Sequence, residues 1–200
     1  MKVRKMTERS HYTEICISDR QCIVRGREGC YSEWDDFQPR LPMTQPLPKP
    51  LNEALSLALA QNVKSKAKTP FDNAYRAALA TEGATYIQGF LVFAGQPYKP
   101  LEHAWIESQD EVLDPSLPHL KQKPEALHYF AAQSLSVKKL KAIVEEAKED
   151  YPEDDPLPTY GSSPYEYYGN VMLGGKEYQA AFKAAEAKCK ELNQKQAENN

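Results

Sequence analysis

Apolar and polar positions alternate along three short stretches in the middle of the chain, and this period of two predicts the sheet that organises the rest. Tyr86 to Phe93 is rich in aromatic and β-branched residues and is broken by Gly95-Gln96-Pro97. His103 to Glu107 then sets His103, Trp105 and Glu107 on one face of a strand and Ala104 and Ile106 on the other. After the polar Ser108-Gln109-Asp110 turn, Glu111 to Asp114 makes a third short strand, ended by Pro115. If the second and third strands pair as a hairpin, His103 and Asp114 lie near each other on a shared face.

Helical patterns surround these strands. Thr69 is expected as an N-cap, with Pro70 at the first helical position and Asp72 completing a capping box. The buried stripe of that helix is expected to be Phe71, Ala74, Tyr75, Ala78 and Leu79. Upstream, Asn52 caps a helix carrying Leu55, Leu59 and Val63, which closes on Lys64, Lys66 and Lys68 in keeping with the helix dipole. Downstream, Pro124 to Gln133 is expected as a short helix with Leu127, Phe130 and Ala131 inward. Ser136 caps a stronger one from Val137 to Lys148, and Lys176 to Gln194 forms a last helix. Between the last two lie an acidic, proline-rich loop, Asp150 to Ser163, and an aromatic cluster that includes Tyr168.

The whole reads as an α+β chain, with helices packed on a small antiparallel sheet. Residues 1–38 are expected as a hairpin arm, turning at Asp19-Arg20, and residues 39–51, with five prolines, as an extended connector. Residues 52–194 are expected to form a single domain and 195–200 a disordered tail.

Composition narrows the function classes. A formal net charge of −3 gives no bulk attraction to nucleic acid or to an anionic membrane. No apolar run is long enough to span a bilayer and no secretory pattern opens the chain, so a cytoplasmic location is expected. The four cysteines form no C-x-x-C and have no histidine at ligand spacing, so no metal and no cofactor are expected, and the thiols are expected to be free.

A histidine beside an acid on the neighbouring strand is how a general base is oriented. The ordered set Tyr86-Ile87-Gln88-Gly89-Phe90, His103-Ala104-Trp105-Ile106-Glu107 and Leu113-Asp114-Pro115-Ser116 resembles the core of the transglutaminase-like branch of the papain-type fold. The resemblance runs from Pro70 to Leu117. It implies a papain-type core, with a thiol at the start of the helix before the sheet, His103 as base and Asp114 as its orienting acid. The chain departs from the family at that thiol: the matching position is Pro70, and no cysteine lies between Cys30 and Cys189. Two readings stay open. In one, the chain is a pseudoenzyme that binds a peptide or protein partner near His103, with Gln88, Asn73, Trp105, Tyr86 and Tyr168 as binding residues. In the other, it is an acyl-transfer or amide-hydrolysing enzyme whose nucleophile comes from elsewhere, Cys30 first, or is a water activated by His103.

Overall fold

A computed structural model describes residues 49–168 and 171–198, together with the backbone of residues 13–18, 21–26 and 29–31. The chain divides into two compact units, Met1–Leu47 and Pro48–Asn200. In the first, β1 (Thr13–Ser18), β2 (Gln21–Gly26) and β3 (Gly29–Tyr31) pair antiparallel in that order, so a third strand is added to the expected hairpin. Cys30 pairs with Arg25 across β2 and β3, and its side chain lies outside the described residues. The connector up to Pro48 lies outside them as well.

The second unit is built on one sheet. It opens with α1 (Glu53–Asn62) and α2 (Pro70–Ala80), followed by β4 (Thr85–Val92), β5 (Leu101–Ser108) and β6 (Glu111–Leu113). A single-turn α3 (Leu117–Leu120) and a 3-10 turn at Pro124–Ala126 lead into β7 (His128–Ser136), and α4 (Val137–Asp150) follows directly. A two-stranded ribbon, β8 (Tyr165–Tyr168) and β9 (Val171–Gly174), precedes α5 (Gly175–Glu198). The sheet order is β6-β5-β4-β7, antiparallel throughout.

Both faces of this sheet are covered. On one, Tyr86, Ala104, Ile106 and Leu135 pack against Ala74, Ala77 and Ala78 of α2 and Leu140 and Val144 of α4. The alanines let α2 lie close to the strands, and burying a side chain such as Leu140 contributes about 2 kcal/mol. Farther along the same face, Phe90 and Val92 meet Tyr178, Ala181, Ala185 and Cys189 of α5. The opposite face carries Ile87, Trp105 and Val112, capped by Leu51 and Tyr129.

Several expectations are corrected. Pro124 to Gln133 is not a helix: only the 3-10 turn forms there, and His128 onward pairs with the whole length of β4. β4 is buried on both faces and has β5 on one edge only, so its remaining hydrogen-bonding groups need a second neighbour; that long-range demand outweighs local helix propensity. Thr69 caps α2 without its side chain, which turns back to the Lys66 carbonyl at 3.2 Å, and Asp72 pairs with Arg76 at 2.9 Å in place of a capping box. Leu55 and Leu79 are exposed; α1 buries Ser56 and Ala60, and α2 buries Asn73 and Ala77 beside Ala74 and Ala78. α5 continues to Glu198, through positions expected as tail, helped by a Lys188, Glu191 and Lys195 ladder on its surface.

Candidate functional site

The register of the sheet decides which side chains meet. Ile106 pairs with Leu113 and Glu107 with Val112, so Asp114, one step past the end of β6, lies diagonally across from His103 on the same face. His103 Nε2 donates to Asp114 Oδ2 at 2.8 Å. His103 is 4% exposed and Asp114 fully buried.

The Asp114 carboxyl accepts from three donors. Oδ2 also accepts from the Tyr129 hydroxyl at 2.9 Å, Oδ1 accepts from the Ser116 backbone N–H at 2.7 Å, and the Asp114 N–H donates to Ser56 Oγ at 3.0 Å. The Ser56 hydroxyl donates in turn to the Asn52 carbonyl at 2.6 Å, so the N-cap residue of α1 is tied to the acid. The carboxyl thus joins β5, β7 and the loop after β6. Burial, and then the neighbouring Asp114, push the Tyr129 phenol well above its usual range, so Tyr129 stays a hydroxyl donor.

Around the imidazole the walls are aromatic. The Trp105 ring lies 6.4 Å away at 23°, Tyr129 lies 6.3 Å away, and Trp105 and Tyr129 meet edge to face at 5.1 Å. With Nε2–H given to a carboxylate, the neutral imidazole carries its lone pair on Nδ1. Among the described residues no hydrogen bond reaches Nδ1, and the buried Trp105 Nε1 is also without a partner.

Asn73 stands behind this group. Its amide donates to Ser116 Oγ at 3.0 Å and to the Lys66 carbonyl at 2.7 Å, while its carbonyl accepts from Lys66 N at 2.9 Å and from Arg76 at 3.0 Å. All its hydrogen-bonding groups are engaged, so it holds the loop before α2 rather than offering itself to a ligand.

Of the residues expected near His103, Trp105 is there and Asn73 is linked to it through Ser116 and Asp114. Gln88 and Tyr86 are not. Gly89 is the residue opposite His103, so Gln88 points to the other face, where it bonds to Thr159 and to the Tyr86 hydroxyl. That register takes Gln88 out of reach of a ligand beside His103. Tyr168 packs on Phe182 with its ring centroid at 5.7 Å and belongs to the α5 cluster. Cys189 is buried in α5, and burial raises its thiol pKa, which makes it a poor nucleophile. Tyr129, Ser116 and Ser56 carry no local signal that marks them as site residues; Tyr129 lies in the segment expected to be helical.

Among the described residues no cluster of three or more His, Cys, Asp or Glu is placed to hold a metal ion. No described helix is long and apolar enough to cross a membrane. No protein-family model, curated protein or solved structure matches the chain.

The face away from His103 holds one further titratable group of note. Glu102, half-buried opposite Phe90 in the register, makes no ion pair among the described residues, and burial raises its carboxyl pKa from 4.5. A carboxyl held above its unfolded value contributes stability below that value and loses it as pH rises through the folded one. Glu102→Gln is therefore expected to raise the melting temperature at pH 7 but not at pH 4, a difference that scanning calorimetry at the two pH values measures.

Proposed function

We infer that this chain is a transglutaminase-like protein that retains the histidine and acid of the family and has given up the thiol, acting as a pseudoenzyme that binds a peptide or protein partner on the His103 side of the sheet. The observation that carries the reading is the coincidence of two things: an imidazole oriented by a buried carboxylate at 2.8 Å, and a proline at the first position of α2, where the resemblance calls for cysteine. A start of this kind would lower the pKa of a thiol through the helix dipole, and proline has nothing to activate.

Putting the thiol back tests it. In a Pro70→Cys variant, the new thiol is expected to react with iodoacetamide at pH 6 at least tenfold faster than an ordinary cysteine of pKa about 8.5, through the α2 dipole. α2 packs on the face of Ala104 and Ile106, opposite to that of His103, so this advantage does not depend on the imidazole. A new thiol with ordinary reactivity would mean that position 70 is not a vacated nucleophile position.

One observation favours the second reading, an acyl-transfer or amide-hydrolysing enzyme that uses His103 and Asp114 with a nucleophile from elsewhere or a water. The Nδ1 of an imidazole held at Nε2 by a carboxylate is the atom a general base uses, and here it makes no hydrogen bond among the described residues.

A further inference from the structure

The two edges of the central sheet are treated differently by the chain. Along β6 the edge is closed: Leu51 bridges to Val112, with Val112 N–H donating to the Pro50 carbonyl at 2.9 Å and Asn52 N–H to the Val112 carbonyl at 3.0 Å. Along β7 it is open. β7 runs for nine residues, pairs with β4 on one side and, among the described residues, has no strand on the other. Among the described residues no hydrogen bond reaches its outward backbone groups.

An open edge of that length is ordinarily protected by charge or proline. β7, His128-Tyr129-Phe130-Ala131-Ala132-Gln133-Ser134-Leu135-Ser136, has no Lys, Arg, Asp, Glu or Pro. Its one irregularity is the shift in register beside Gly89, and the side chains of Ala131, Ser134 and Ser136 are small and exposed.

The charge pattern at the end of the strand indicates what lies along it. α4 starts directly after Ser136 with Lys138, Lys139 and Lys141, all exposed, and has no acidic residue in its first turn. Lysine at a helix N-terminus opposes the dipole and lowers helix stability. Among the described residues none of the three makes an ion pair that would offset this. The three lysines and the free N–H groups of α4 together favour negative charge beside Ser136.

We propose that the outer edge of β7 is a docking site for an extended, uncharged segment of a partner protein, added as a further strand of the sheet, with acidic residues at the end that lies beside Lys138 and Lys139. The backbone ladder supplies affinity and the lysines fix the direction of the added strand. This surface is distinct from the His103 face, so either proposal can fail without the other.

The probe is a fluorescent peptide with six alternating Thr and Val residues and a Glu-Glu end, measured by anisotropy against the full-length chain. Its expected behaviour is saturable binding, with amide exchange slowed along β7. Binding should weaken roughly tenfold in a Lys138→Glu, Lys139→Glu double variant, whose reversed charges match the α4 dipole and so keep the fold. N-methylation of alternate peptide amides on the ladder side should abolish binding. The proposal is overturned if the methylated peptide binds equally well, if the double variant binds as tightly as the parent, if slowed exchange maps to another surface, if no binding is seen, or if sedimentation shows the edge taken up by a second copy of the chain.

Discussion

Asp114→Ala is expected to lower the stability of the Pro48–Asn200 unit by roughly 3–5 kcal/mol, the range for removing one partner from a buried, hydrogen-bonded charged group. The change strands three donors at once: His103 Nε2, the Tyr129 hydroxyl and the Ser116 N–H, each within 2.9 Å of the carboxyl. A buried donor left without an acceptor costs about 1–3 kcal/mol. The three losses are not additive, since the vacated space lets some of them find water. His103→Ala gives the contrasting case: it leaves the carboxyl with Tyr129 and Ser116 as donors, and is expected to cost about 1–3 kcal/mol. Urea titration of the two variants, followed by tryptophan fluorescence, measures the difference. An Asp114→Ala cost below about 1 kcal/mol would mean that the carboxyl does not hold the three elements together.

Gly89→Ala is the second large effect, expected to cost about 3 kcal/mol or more, at the upper end for overpacking, because what resists is backbone rather than a side chain that can rotate away. A Cβ at position 89 would fall on the Phe130 carbonyl oxygen, 2.9 Å from the Ala132 nitrogen and 3.1 Å from the Ala131 Cα. That contact lies where the β4 and β7 register shifts. Relief requires β7 to move off β4, and Tyr129, two residues from Ala131, moves with it. Gly89→Ala is thus expected to lower the urea midpoint and also to weaken the near-ultraviolet circular dichroism from the Trp105 and Tyr129 rings. A variant as stable as the parent, with an unchanged aromatic signal, would show that the two strands have slack at this point.

Much of the fold was legible where the signal is local. The alternation in Tyr86 to Phe93 and His103 to Glu107 fixed strands and faces, because a strand's period of two leaves little freedom once a hairpin is assumed. The same rule placed His103 and Asp114 together. Ser136, whose hydroxyl accepts from Lys139 N, and Asn52, whose carboxamide accepts from Leu55 N, marked the starts of α4 and α1.

What escaped was set by distant parts of the chain. Within His128 to Ser136, Tyr129 and Phe130 favour a strand while the Ala-Ala pair after a proline favours a helix; the segment is a strand because β4 needs a second neighbour. Gln88, expected among the binding residues near His103, lies on the other face because the register sets Gly89, not Gln88, opposite His103, and that register depends on the connection between β4 and β5. The buried stripe of α1 departs from its apolar pattern for a similar reason: Ser56, polar by itself, is the residue drawn inward, since Asp114 N–H needs its oxygen. For β7 and for Ser56, buried polar groups elsewhere set the outcome.

The central claim, that no thiol serves His103, is most directly tested by following the alkylation of the chain's four cysteines with iodoacetamide at neutral pH by mass spectrometry, in the parent and in His103→Ala. The account predicts slow labelling of all four, Cys189 slowest, at rates that do not change when the imidazole is removed. One cysteine, Cys30 above all, labelled far faster than the others and slowed in His103→Ala would contradict it and establish a nucleophile.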